Sequence, residues 1–297
     1  MPNLEIKNNG ISIVLGTYNR LAFLKLTIES LRKELEEAQI PSEIIVVDGG
    51  SSDGTLKWLI KQKDIITIVQ HNRGIWNRKP IVRRSWGYFM NLGFKASQGK
   101  YICMVSDDCI IVPGAIKKGY DFFEKKISDG IKLGAVPFYF TLDYPESSDY
   151  LVVKIGDKIY LNHGLYLREA VVDAGYIDEQ TYLFYAADAD LCYKMISIGY
   201  GIEACPEAKI IHFSHINDCV RSTNTTLYED SSAFEKKWAH LLSKSYYKAN
   251  ENVIKLKDVV VEDADFYKKG MRLNLIMSKI KFTLFIMRLK KKIGYVR

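Results

Sequence analysis

Four short runs of apolar, mostly β-branched residues constrain this chain more than any other feature: Ile11 to Leu15 (ISIVL), Glu43 to Val47 (EIIVV), Ile65 to Val69 (IITIV) and Tyr101 to Val105 (YICMV). Nearly continuous apolar runs of this length suit strands buried on both faces, as in a parallel sheet. Segments with helical spacing separate them: Leu21 to Ala38, Thr55 to Gln62, and Ser85 to Ser97, the last stopped near Gly99. The alternation predicts a doubly wound, mostly parallel α/β sheet with right-handed crossovers.

In such a sheet, ligands bind at the carboxyl ends of the strands. The runs place three polar clusters there: Thr17-Tyr18-Asn19-Arg20, Asp48 to Thr55 (DGGSSDGT), and Ser106-Asp107-Asp108. Taken alone, Asp107-Asp108 reads as a turn ahead of Val112-Pro113-Gly114, and Asp48 as an Asx-type turn in Asp-Gly-Gly-Ser. Convergence on one edge favours a site instead. Adjacent carboxylates raise each other's pKa, so something cationic is expected to offset them.

The second half is mixed. LGAVPFYF from Leu133 reads as a strand, followed by a polar loop from Asp143 to Asp149, then Gly164 to Glu179, a helix from Asp188 to Ile198, and a strand from Ile202 to Phe213. A chain of 297 residues with 47% hydrophobic content can bury a substantial core. MPNLEIKNNG lacks the apolar core of a signal peptide, and no run of eighteen apolar residues occurs, so a cytoplasmic protein is expected. The five cysteines, Cys103, Cys109, Cys192, Cys205 and Cys219, lack CxxC or zinc-ligand spacing and read as reduced core thiols. Of the net charge of +7, the stretch from Lys268 to Arg297 carries ten Lys or Arg and no acid, leaving the preceding residues net negative. Basicity confined to the end of the chain argues against a nucleic-acid partner.

Four ordered motifs then point to a family. SIVLGTYNR, IIVVDGGSSDGT, NLGFKASQGKYICMVSDDC and REAVVDAGYIDEQTYLFYAADADLCYKMISIGY, over roughly Ile11 to His215, resemble the inverting nucleotide-sugar glycosyltransferases of family 2, which have the GT-A fold. The resemblance implies a domain over residues 1–240, with a nucleotide-binding half to about 130 and an acceptor-binding half beyond it. Residues 241–297 would form a helical basic extension. It also implies a UDP- or dTDP-sugar donor, a glycan or lipid-linked saccharide acceptor, and a divalent cation, Mn²⁺ or Mg²⁺, with hard oxygen ligands shared with the donor phosphates. Oligomers are compatible with it.

Under this resemblance Asp108 is the metal ligand, and Asp107 binds the ribose or assists at the metal. The family's motif of two aspartates one residue apart would begin at Ser106, so this is an Asp-Asp variant. Asp48 accepts the imide N–H of uracil or thymine, with Thr17, Tyr18 and Asn19 lining the same pocket. Asp188 is the general base that inversion requires. The glutamate that precedes it in the family is Ala187 here, and Asp190 reads as a helix N-terminal carboxylate favourable to the dipole. His212, favoured over His215, completes the metal or phosphate site. HNRGIWNRKPIVRRSW holds Arg73, Arg78, Lys79, Arg83 and Arg84 without an acid and reads as a solvated basic loop, from which Arg84 is expected to reach the donor diphosphate.

Two rivals are weaker. A sugar-nucleotide pyrophosphorylase would carry a Gly-rich loop with Arg and Lys after the first strand, where this chain has Gly16-Thr17-Tyr18-Asn19-Arg20. A non-catalytic scaffold with the same fold has no reason to retain Asp108 and Asp188. The end of the chain, from Met271 to Arg297, interleaves apolar and cationic residues too closely to span a bilayer. It is expected to lie on an anionic membrane surface on the cytoplasmic side, or else to pack as a helix on protein.

Overall fold

The structure is a computed structural model and describes residues 9–141, 149–213, 226–242 and 253–256. The expected polar loop before Asp149, His215, Cys219 and the basic end of the chain lie outside the described residues.

Strand β1 (Ile11–Thr17), helix α1 (Leu21–Ala38), β2 (Ser42–Asp48), α2 (Thr55–Leu59) and β3 (Ile65–Val69) open the chain. A hairpin of β4 (Ile75–Trp76) and β5 (Lys79–Pro80) precedes α3 (Trp86–Ala96), β6 (Tyr101–Met104), β7 (Cys109–Ile111) and α4 (Ala115–Ser128). The second half holds β8 (Leu133–Thr141), β9 (Tyr150–Ile155), β10 (Lys158–Ile159), β11 (Gly164–Leu167), α5 (Arg168–Asp173), α6 (Ala187–Ser197), β12 (Gly201–Ile202), β13 (Cys205–His212), α7 (Leu227–Trp238) and β14 (Val253–Lys255).

The main sheet runs in the order β10-β9-β8-β11-β6-β1-β2-β3. β6, β1, β2 and β3 are parallel neighbours, as expected. β11 is antiparallel to both β6 and β8 and joins the parallel part to the mixed second half.

Alternate residues of the strands feed two cores, because successive strand side chains point to opposite faces. Ile11, Ile13 and Leu15 of β1, with Ile44 and Val46 of β2, pack with Leu24, Ile28, Ile116 and Phe123. Val14, Ile45, Ile102 and Met104 face the other way, against Met90, Phe94, Leu191 and Trp238. Helices therefore cover both faces, which is why the runs carry no polar alternation.

Three expectations need correction. α2 ends at Leu59, not Gln62: Ile60 is exposed, and the N–H groups of Lys61 and Gln62 reach back only three residues, to the carbonyls of Trp58 and Leu59. The strand expected from Ile202 to Phe213 is broken, since β12 and β13 both pair with β8 but with register shifts, and Pro206 has no N–H to give to a ladder. The basic loop is partly a hairpin, turned by Asn77 and Arg78, both with positive φ. Cys103, Cys109, Cys192 and Cys205 are free and buried, in line with reduced thiols. No helix among the described residues is long and apolar enough to cross a membrane.

Candidate functional site

The carboxyl ends of β1, β2 and β6 bring the three polar clusters together. Thr17, the last residue of β1, donates its hydroxyl to Asp107 Oδ2 at 2.7 Å. Arg20, where the chain turns into α1, places Nη1 at 2.6 Å from Asp107 Oδ1 and 2.9 Å from Asp108 Oδ2. The expected cation is thus Arg20, a residue of the TYNR cluster. Both carboxylates are buried.

One guanidinium between two carboxylates leaves an excess of negative charge. Burial pushes Asp107 above the usual carboxylate range, and neighbouring Asp108 adds to the effect against the pull of Arg20 and Thr17. Burial acts upward on Asp108 too, but Arg20 and His212 outweigh it and hold that group well below the usual range. Asp108 is accordingly the member that stays ionised.

Asp108 also meets His212 at the end of β13, with Nε2 3.3 Å from Oδ1. Oδ1 has no hydrogen-bond partner among the described residues, and neither has His212 Nδ1. A buried carboxylate oxygen whose nearest donor group is this imidazole, with no hydrogen bond formed, has acceptor capacity to spare. A hard oxygen beside an imidazole fits a divalent cation, and Asp108 with His212 would hold one.

Asp48 is buried at the end of β2. Its Oδ1 accepts the N–H groups of Gly50 and Ser51, each at 2.8 Å, the Asx-type turn expected of Asp-Gly-Gly-Ser. Its Oδ2 is buried with no hydrogen-bond partner among the described residues, an acceptor that a donor such as an imide N–H would satisfy. Gly50 is required here, since its φ is +86° and a Cβ would lie 2.4 Å from His71 Nδ1. Asn19 holds the same loop: its N–H donates to Ser51 Oγ at 2.8 Å, and its Oδ1 accepts the N–H of Ser52 at 2.7 Å. Tyr18 lies against Gly49, with the Arg73 guanidinium 5.2 Å from its ring.

Arg84 is exposed, with its guanidinium 4.4 Å from the Tyr88 ring and its backbone tied to Asn72. The cation that touches the carboxylate pair is Arg20 instead.

Asp188 is the second residue of α6 and is half-buried. Its Oδ2 accepts from Asn162 Nδ2 at 3.1 Å and its Oδ1 from the N–H of Ala189 at 2.9 Å. Burial raises its pKa, and these two bonds offset the rise only in part. Asn162 also ties Asp188 to the rest of the site, because the next residue, His163, has its ring 4.7 Å from that of His212.

The chain enters α6 through Ala186, whose φ of +61° is left-handed for a residue with a Cβ. Such strain persists only where surrounding structure imposes it. The restraint is Asp230 of α7, buried, whose carboxylate accepts the N–H groups of Leu183, Phe184 and Tyr185 at 2.8 to 2.9 Å and the Thr226 hydroxyl at 2.9 Å. Nothing near Asp188 in sequence marks this residue. Asp230→Ala leaves three N–H groups without their acceptor, so a loss of about 2–4 kcal/mol in urea unfolding is expected, with turnover falling further than donor affinity. Unchanged stability would remove Asp230 from this role.

Asp190 needs a different account from the dipole alone. It is fully buried and accepts from Tyr182 Oη at 2.9 Å and Trp238 Nε1 at 2.8 Å, with Lys237 Nζ also at 2.8 Å. Its partners are structural and join α6 to α7.

Residues 12–140 match the family model for glycosyl transferase family 2. The chain is 28% identical over 119 residues to a chondroitin synthase of Escherichia coli, covering 39% of this chain and 15% of that protein. It is 27% identical over 111 residues to a chondroitin synthase of Pasteurella multocida strain Pm70, covering 36% of this chain and 10% of that one. The match therefore spans only a small part of either relative. Among solved structures, S. aureus TarS residues 1–349 aligns with a TM-score of 0.51 at 16% identity, over 82% of this chain and 75% of that one. A second TarS structure gives 0.50 at 16% identity, over 76% and 42%. At such identity the likeness concerns the fold, which is the expected GT-A arrangement with a curled, mostly parallel sheet.

Proposed function

We propose that this chain, whose residues 12–140 match glycosyl transferase family 2, moves a sugar from a UDP- or dTDP-sugar to a saccharide acceptor with inversion, using a divalent cation. The observation that carries this reading is the pairing, on one sheet edge, of a buried oxygen of Asp48 with a buried oxygen of Asp108, neither of them hydrogen-bonded among the described residues. The first suits the imide N–H of uracil or thymine, which cytosine lacks. The second suits a cation.

Asp108 and His212 would hold Mn²⁺ or Mg²⁺, which when bound neutralises charge developing on the departing diphosphate. Arg20 keeps Asp107 and Asp108 oriented, Thr17 fixes the other oxygen of Asp107, and Asp107 would accept a ribose hydroxyl or assist at the metal. Asp188 takes the proton of the acceptor hydroxyl. The freed electron pair of that oxygen forms the new bond to the anomeric carbon, while the bond to the diphosphate breaks on the opposite face and its electrons leave with the nucleotide. One carboxylate suffices, so Ala187 in place of a second acid is compatible with the reaction. Arg84 remains our choice for a contact with the donor diphosphate.

The match to two chondroitin synthases supports a glycan acceptor of the polysaccharide type. The basic end of the chain after Lys268 is proposed to hold the protein at an anionic, cytoplasmic membrane face, at about 1 kcal/mol per cation near the surface. Donor turnover should disappear in excess EDTA and return with Mn²⁺. Turnover that persists in EDTA would sink the cation requirement.

A further inference from the structure

We propose that Cys109, His163 and His212 form a second, buried cation site that takes a borderline transition-metal ion of the Zn²⁺ or Co²⁺ class in preference to Mg²⁺. The three ligand atoms, one sulfur and two imidazole nitrogens, lie within 4.8 Å of one another. They come from three separate elements: Cys109 opens β7, His163 precedes β11, and His212 closes β13. The ladder between β13 and β7 places His212 directly opposite Cys109.

Two independent facts point to a ligand there. His163 is 1% exposed, and neither ring nitrogen has a hydrogen-bond partner among the described residues. Burying such a group unpaired is unfavourable, and a neutral imidazole offers a lone pair that a metal satisfies. His212 Nδ1 is likewise buried with no hydrogen-bond partner among the described residues. Phe140 stands edge-on to both rings, at 5.1 Å from His163 and 5.8 Å from His212, and restricts their orientation.

Donor chemistry sets the ion. Thiolate and imidazole favour zinc, cobalt and copper, whereas Mg²⁺ seeks an octahedron of oxygens. A tetrahedral ion with metal–ligand lengths of about 2.0–2.3 Å needs its ligands about 3.4–3.8 Å apart, so a closure of about 1 Å by side-chain rotation completes the triad. A water or the nearby Asp108 carboxylate supplies a fourth ligand. Binding takes the proton from the Cys109 thiol and releases it to solvent.

This site shares His212 with the donor-side pair of the proposed function, and in that respect it rests on that reading. An ion held by Cys109, His163 and His212 takes from the donor-side cation the imidazole that Asp108 would share with it. The site therefore makes Zn²⁺ an inhibitor rather than a substitute for Mn²⁺.

The test is titration of the full-length protein with Co²⁺ alone, without nucleotide, followed by absorption. One ion per chain is expected, with the intense visible bands of a tetrahedral centre and a thiolate-to-cobalt charge-transfer band. Cys109→Ser should abolish that band, and His163→Asn should weaken affinity at least about tenfold, since loss of a second-shell partner alone costs 10–100-fold. Excess Mg²⁺ should leave the wild-type spectrum in place. Absence of stoichiometric Co²⁺ uptake by folded wild-type protein, or a spectrum lacking the thiolate band, overturns the proposal even if either variant fails to fold. A cobalt spectrum in a protein that shows no Mn²⁺-dependent nucleotide binding would keep this site and reject the donor-side one.

Discussion

Asp188→Asn is expected to lower turnover by about 10² to 10⁴, the usual worth of a positioned general base, while donor affinity and the unfolding midpoint change little. The amide keeps the shape of the carboxylate and one of its two accepted bonds, that from the Ala189 N–H, but its carbonyl oxygen cannot take up the acceptor proton at neutral pH. The pH profile gives a second readout. Burial raises the Asp188 pKa, and the base works only when ionised, so the acid limb of turnover should fall above the range of a free aspartate. The same shift carries the opposite sign for stability: a carboxylate whose folded pKa is raised favours the fold when protonated, and that contribution fades as pH rises from the unfolded value through the folded one. Steady-state rates and urea unfolding over one pH series separate the two. Normal turnover in Asp188→Asn with a large loss in Asp190→Asn would transfer the role to the wrong-looking neighbour, whose bonds to Tyr182 and Trp238 otherwise mark it as structural.

Arg20→Met should be the most destabilising single change at the site, by about 3–5 kcal/mol near neutral pH. Methionine fills much of the volume but leaves Asp107 and Asp108 buried beside each other without their cation, at side-chain exposures of 4% and 5%. The pH dependence follows from the charges. Asp108, held low in the wild type, stabilises the fold above its unfolded pKa and loses that contribution only as pH falls well below it. Without Arg20 that contribution vanishes, so the gap between variant and wild type should shrink as pH drops into the carboxylate range. Urea denaturation at several pH values measures it. A variant as stable as the wild type at pH 7 would mean the guanidinium is not what keeps the pair together.

The parallel half of the fold was legible because its strands are buried on both faces. ISIVL and EIIVV have no alternation to misread, and helices above and below supply the second and third layers. The β4–β5 hairpin was not legible, since its turn uses Asn77 and Arg78 at positive φ where a glycine would have signalled it. Thr17, Asp48, Asp107 and Asp108 could be placed on one edge from strand ends alone, and the need for a cation followed from the adjacent carboxylates. That the cation is Arg20, rather than a residue of the basic hairpin, depends on where α1 starts after β1. His163, Asn162 and Asp230 gave no local signal. They lie 25 to 42 residues away from Asp188 along the chain, and only packing brings them there.

Thermal unfolding with Mn²⁺ and a panel of nucleotide sugars tests the central claim most directly. A ligand that binds only the folded chain at 100 times its Kd adds about 2.7 kcal/mol of stability. UDP- or dTDP-sugars should raise the midpoint, and Asp48→Ala should remove that shift, because Asp48 Oδ2 is the acceptor proposed for the imide N–H. CDP-sugars, which lack that N–H, should have little effect. A shift by CDP- or GDP-sugars alone, or by no nucleotide sugar in the panel, would contradict the assignment of this sheet edge as a uracil- or thymine-nucleotide site.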